Sequence, residues 1–279
     1  MSHSPPDLLS SSRFPMTISG LSEGGARSSF EYIYTAFTHR ELSKLKDRQY
    51  AVRGLEERLK ALYKSEITYG IVHCCLHSSL LWQRSGDRLE DIKDETKKIP
   101  SWSWMKYSGA ISYGTIPGFN TRWNRDIKIV PGNECKLIEA PLWRIRPGEK
   151  VVMGEGIEIT GHVPSPSPID GSPITIRSCL FDDPTISFIE AMGFIVTATH
   201  TTNLWTQFNP KKEGCKWESF GKISLKRKKP KPKEFSYALV VISDSPIDEQ
   251  DKSREWRRIG VAVIDHEMLS KSLEVVKVK

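Results

Sequence analysis

The sequence predicts an α+β protein, with a small N-terminal helical subdomain packed on an antiparallel β sandwich or partly open barrel. Three observations carry this expectation. Before residue 100, apolar residues recur at three- and four-residue spacing, the mark of amphipathic helices. After residue 104, short runs rich in β-branched and aromatic residues alternate with Gly, Pro and Asp, which is strand-and-turn texture. Between the two lies Pro100-Ser101-Trp102-Ser103-Trp104. In an extended path, Trp102 and Trp104 would share one face and the two serines the other. Each indole can bury roughly 150–250 Å². The segment is therefore expected to anchor the helical part onto the sheet.

Taken in order, residues 1–28 are rich in Ser, Pro and Gly without an apolar period, and are expected to form a disordered arm. The helical subdomain is expected over 29–99. Phe30, Ile33, Tyr34 and Phe37 space a short helix. Asp47 is placed to cap a second, in which Ala51, Leu55, Leu59 and Leu62 form a stripe and Arg53–Glu57 and Glu56–Lys60 form outward i,i+4 pairs. Val72, Leu76 and Leu80 suggest a third helix over about 68–82. Residues 83–98 are strongly charged and read as a solvated connector.

The β domain is expected over 100–268, with strand runs near 127–130, 135–145, 151–163, 174–181, 194–199, 235–243 and 259–266. A basic loop at 222–234 separates two late strands, and 269–279 reads as a tail. No repeat of fixed period occurs.

Composition narrows the classes of function. No apolar run approaches the roughly 20 residues of a membrane helix, and residues 1–12 lack a charged-then-apolar leader. Five cysteines at irregular spacing, with no Asn-x-Ser/Thr site, predict reduced thiols in an intracellular protein, cytoplasmic with nuclear access open. The net charge is +7, but Lys226, Arg227, Lys228, Lys229, Lys231 and Lys233 hold six of it, leaving +1 elsewhere. Such a tract suits nuclear localisation or contact with an anionic surface. No aromatics interleave with it, so a stacking platform for specific nucleic-acid binding is not expected.

Several residues then fall into a known order. Thr38-x-Arg40-x-Leu42-Ser43 precedes Asp47-Arg48, with Ala51 and Gly54 following. Tyr69-x-x-x-His73, Leu80-Leu81-Trp82 and the Pro-Ser-Trp-Ser-Trp segment come next. This order resembles the C-terminal half of fungal heterokaryon-incompatibility (HET) domain proteins, over roughly residues 30–115. The distal Arg257-Arg258-Ile259-Gly260 resembles the strand that closes their β region. Arg40, Asp47, Arg48, Gly54, Trp82, Pro100, Trp102 and Trp104 are the marker residues. Nothing in residues 1–29 resembles the HET domain itself, so the chain is expected to be a truncated or stand-alone tail. The resemblance implies a non-enzymatic accessory role in non-self recognition and cell-death signalling. It implies no cofactor, and a protein partner such as another incompatibility protein.

The chemically suggestive motifs are expected to be structural. His73-Cys74-Cys75-Leu76-His77 would place both imidazoles on one helical face, but no second ligand pair follows, so no metal is expected. Ser43-x-x-Lys46 and Gly154-x-Gly156 lack the context of a nucleophile or a phosphate loop. Asp182 and Asp183 precede a proline and read as turn formers. No catalytic residue is assigned.

Overall fold

The computed structural model describes residues 23–40, 48–86, 89–92, 98–114, 116, 120–144, 151–153, 174–182, 192–202, 233–243, 255–265 and 274–279. Its elements mix a few helices with a larger strand content, an α+β fold. The first helix, α1, spans Glu23–Thr38, so it starts within the stretch expected to be a disordered arm. Phe30, Ile33 and Tyr34 are fully buried along it, and Arg27 and Glu31 pair at 3.5 Å on its flank.

The second helix, α2, spans Arg48–Tyr63. Its buried stripe is Val52 and Leu59, with Leu55 and Leu62 partly buried; Ala51 is exposed, one step off the expected face. Lys64 adopts a left-handed φ of 48°, and the Ser65 N–H returns to the Lys60 carbonyl at 3.3 Å. That is a Schellman-type stop. Lys60 bonds Glu57 and Glu66 rather than Glu56, whose carboxylate turns inward.

The expected third helix is mostly a β-hairpin. Strands β1 (Ile67–Thr68) and β2 (Ile71–Val72) pair antiparallel across Tyr69 and Gly70. Those two residues have φ of 50° and 75°, a type I′ loop that matches the twist of the flanking strands. Only a 3₁₀ turn (His73–Cys75) and one short helix, α3 (Leu76–Ser79), follow. Val72, Leu76 and Leu80 are nonetheless all buried. Strand β3 (Trp82–Arg84) pairs with β6 (Ile111–Tyr113), and β4 (Glu90–Asp91) with β5 (Tyr107–Ser108). The stretch expected to be a solvated connector thus carries strand residues and a buried Leu89.

The remaining strands are β7 (Thr121–Trp123), β8 (Lys128–Val130), β9 (Leu137–Arg144), β10 (Val151–Met153), β11 (Ile174–Phe181), β12 (Met192–Thr202), β13 (Lys233–Ser243), β14 (Glu255–Asp265) and β15 (Glu274–Val278). They form one sheet in the order β10-β11-β14-β13-β12-β9-β15, and β15 returns to pair with β14. Five strands therefore close into a barrel, where a sandwich or partly open barrel was expected. The stretch expected to be a tail, 269–279, supplies the closing strand.

Closure with an odd number of strands cannot keep every neighbour antiparallel. The exception is β14–β15, which is parallel and only two residue pairs long: Glu255 with Lys277, and Trp256 with Val278. β10 and β11 are also parallel. Strand β9 alternates, burying Ile138, Ala140 and Leu142, and β15 buries Val276 and Val278. One hydrophobic cluster runs from Phe30, Ile33 and Val52 through Trp82, Trp102 and Trp104 to these barrel residues. No helix among the described residues is long and apolar enough to cross a membrane.

Candidate functional site

Of the residues singled out by sequence, the structure gathers Arg48, Trp82, Pro100, Trp102 and Trp104 around the 100–104 segment. The segment is not extended. Ser101 and Trp102 make a turn, the Ser103 N–H reaches the Pro100 carbonyl at 3.0 Å, and a 3₁₀ turn (Trp104–Lys106) follows. The two faces predicted by alternation do not exist; residues 101–105 are all buried.

One end of the segment clamps the hairpin loop. The Trp104 Nε1–H donates to the Gly70 carbonyl at 3.1 Å, and the Ser103 hydroxyl to the Tyr69 carbonyl at 2.7 Å. From α2, the Glu56 carboxylate accepts the Gly70 N–H at 3.0 Å. A side chain at position 70 would strike the Trp104 indole, and φ is left-handed there, so glycine is required twice over. Burial pushes the Glu56 carboxyl up to about 7, against the lowering effects of the Gly70 N–H and Lys60.

Trp104 also packs against Tyr34 and Phe37, at centroid distances of 5.1 and 6.0 Å. The Arg48 guanidinium lies 5.2 Å from the Trp104 ring and 5.9 Å from Phe37, and donates to the Gly109 carbonyl at 3.3 Å. Burial lowers it to about 10, so it stays charged at neutral pH. Arg48, a marker residue of the resemblance, is thus a cation set against aromatic faces. Arg40 is exposed just beyond α1, and Asp47 lies outside the described residues. Gly54 is exposed on α2 with open space around it, so packing does not require glycine there.

The other end fills the barrel seam. Along β14, the neighbour changes from β15 at residues 255–256 to β11 from Gly260 onward. Between them, the Arg258 N–H donates to the Ser101 hydroxyl at 2.9 Å. The Ser101 hydroxyl and N–H both donate to the Lys279 backbone oxygen, and the Lys279 N–H to the Trp256 carbonyl at 2.7 Å. A serine from outside the sheet thus serves β14 where neither strand reaches. The register of β13 against β14 slips by one residue here, opposing Val240 with Gly260 and Val241 with Arg258. Such a bulge re-aims side chains, and Arg258 and Ile259 are buried in succession.

The Arg258 side chain is fully buried. Its guanidinium lies 3.3 Å from the Trp82 ring centroid, donates to the carbonyls of Leu80 (3.0 Å) and Trp82, and pairs with Asp182 Oδ1 at 3.3 Å. Trp82 Nε1–H in turn donates to the Trp102 carbonyl at 2.9 Å. Burial raises Asp182 and lowers Arg258, each opposed by the other's charge. Asp182 follows β11 in a bend, as a turn former would, yet its side chain serves Arg258. The sequence signal missed was an arginine doublet entering an apolar strand run, which requires one member to find a buried counter-charge.

The His73/His77 pair does not share a helical face. His73 bonds the Thr68 hydroxyl at 2.8 Å, and burial, then Lys136, lowers its pKa. Lys136 reaches the same hydroxyl at 3.3 Å. His77 stacks on Trp123 at 4.8 Å. No group of three or more His, Cys, Asp or Glu side chains among the described residues could hold a metal.

A polar cleft of about 380 Å³ opens beside the seam, lined by 131–135, Leu137, Glu255, Lys277 and Lys279. Within it Lys279 meets Glu134 at 2.9 Å and Glu255 at 3.2 Å, and Lys98 also meets Glu134. Hydrogen bonds from Lys98 and Lys279 hold the Glu134 carboxyl down at about 2. Ser43, Lys46, Gly154, Gly156, Asp183, Lys226, Arg227, Lys228, Lys229 and Lys231 lie outside the described residues. So does the alternating pattern at 157–162 and the 164–173 loop. Lys233 is the first residue of β13. No protein-family model, curated protein or solved structure matched the chain.

Proposed function

We propose that the chain is a non-enzymatic accessory region of a fungal HET-type protein, working through protein contacts in heterokaryon incompatibility. In this reading the helical part is a support docked on the barrel, and the partner is another incompatibility protein met in the cytoplasm. What supports it is the use to which residues of the resembling motifs are put. Trp82, Ser101, Ser103, Trp104 and Arg258 spend their polar groups on internal carbonyls, hydroxyls and Asp182. Residues so committed build a scaffold and leave recognition to the outer surface.

The test is expression of the full chain in a filamentous fungus, alone and with a HET-domain polypeptide, scoring viability of fused cells. The expected result is altered viability in the combination only. No change in either arm would overturn the reading. An open reading frame for a HET domain directly upstream would strengthen it.

A second reading, nuclear or anionic-surface binding through the 226–233 tract, is favoured by the concentration there of six charges of the net +7. Nuclear enrichment that persists after all six basic residues are neutralised would sink it.

A further inference from the structure

The geometry points to Cys74 and Cys75 as a vicinal dithiol that two-electron oxidants such as peroxides close reversibly into a disulfide. The two are adjacent in the 3₁₀ turn (His73–Cys75), and their Sγ atoms lie 3.8 Å apart in an S–H···S contact. Cys74 is exposed and Cys75 is buried beside it, so an oxidant from solvent reaches the first before the second. That is the arrangement of an attacking and a resolving thiol.

The chemistry balances with the peroxide as oxidant. The Cys74 thiolate attacks one peroxide oxygen, breaks the O–O bond and becomes a sulfenic acid, releasing a first water after protonation. The Cys75 sulfur then attacks the sulfenic sulfur. The hydroxide leaves with the Cys75 proton as a second water, and the S–S bond forms. Two thiols lose two electrons and two protons, and the peroxide takes them up.

Backbone geometry sets the character of the product. A trans peptide holds adjacent Cα atoms about 3.8 Å apart, shorter than the roughly 4.4–6.8 Å that disulfides prefer. Closing the bond also draws the sulfurs from 3.8 Å to about 2.05 Å. The product is strained and hence easily reduced, which places it with labile disulfides rather than structural ones. Movement of the turn would be felt nearby. The Cys74 N–H holds the Ser65 hydroxyl at 2.9 Å, His73 holds Thr68, and His77 stacks on Trp123.

The full chain makes the test simple. Trypsin cleaves after Lys64 and Arg84, so one peptide, 65–84, carries both cysteines and none of the other three. After hydrogen peroxide and then an alkylating agent, this peptide is expected to be lighter than its reduced form by two hydrogens and to resist alkylation at both sulfurs. A mild dithiol should restore both sites. Cys74→Ser and Cys75→Ser should each abolish the two-hydrogen loss. Three outcomes overturn the proposal: alkylation of both sulfurs after oxidation, oxygen retained on Cys74 with Cys75 alkylated, or a Cys74 disulfide joining two chains. Each is read in the unsubstituted protein, so none depends on a variant folding.

Discussion

Arg48 and Arg258 are both buried cations set against a tryptophan, at opposite ends of the 100–104 segment, yet they are accommodated differently. Arg258 has a carboxylate, Asp182, and two backbone carbonyls in addition to Trp82. Arg48 has the faces of Trp104 and Phe37 and one carbonyl. The difference lies in what is left behind on removal. Losing Arg258 strands a buried carboxylate and two carbonyls, whereas losing Arg48 strands little beyond π-faces. The seam is held by opposed charges and the hairpin clamp largely by neutral groups, so the two ends should fail to different degrees.

The largest effect should come from splitting the seam pair. Arg258→Met is expected to cost about 3–5 kcal/mol in denaturant unfolding, because Asp182 is left buried without its partner. Adding Asp182→Leu should recover most of that. A single substitution costing less than about 1 kcal/mol would show that the pair does not hold the seam.

At the clamp, Trp104→Ala is expected to cost about 3 kcal/mol or more, since a fully buried indole leaves a cavity. Gly70→Ala should destabilise as well, through its left-handed φ and the collision with the Trp104 ring.

Ser101→Ala removes a hydroxyl shared by Arg258 N–H and the Lys279 carbonyl, and should cost about 1–3 kcal/mol. Its secondary signature is faster amide exchange at 256–258 and in β15. Exchange confined elsewhere would mean that serine does not hold the seam.

Arg48→Met sharpens the comparison directly. It keeps most of the volume, removes the charge and strands no carboxylate, so about 1–2 kcal/mol is expected. A loss equal to that of Arg258→Met would erase the distinction between the two ends.

A further effect is on pH dependence. The Glu56 carboxyl is raised in the folded state, from 4.5 to about 7, by burial. Between those values the folded protein binds the proton more tightly than the unfolded chain does. The stability from this group is therefore full below pH 4.5 and is lost as pH rises toward 7. Glu56→Gln should flatten that part of a Tm-against-pH curve. An unchanged slope would indicate that Glu56 is not the group responsible.

Much of the local pattern was legible from composition and spacing. Phe30, Ile33 and Tyr34 announced α1, although its start at Glu23 did not show in a Gly- and Ser-rich stretch. Leu55, Leu59 and Leu62 announced α2, while Ala51 misplaced the stripe because Val52 takes its place. The β runs from 127 onward correspond to β8 through β14, with the run expected at 151–163 described only at 151–153. The hairpin at 67–72 was missed because Val72, Leu76 and Leu80 satisfy a four-residue period whatever element carries them. The decisive signal was Tyr69-Gly70, where two successive left-handed residues cannot continue a helix. At the seam, the burial of Arg258 and the role of Asp182 join residues 76 positions apart, and no local pattern reports such a pair.

The sequence by itself determined an α+β protein that opens with two helices, carries a tryptophan-rich segment at 100–104 and gathers its excess charge in one tract. These properties follow from side-chain periodicity and from where Gly and Pro fall, which act over a few residues. Only the tertiary structure decided that the sheet closes, that the closing strand comes from 274–278, and that Ser101 serves β14 where neither β15 nor β11 does. Closure by five strands forces one parallel seam. Whether a serine or an arginine can be buried at such a seam depends on partners brought there from distant parts of the chain. The free energy of a buried polar group is set by those partners and not by the residues beside it in sequence.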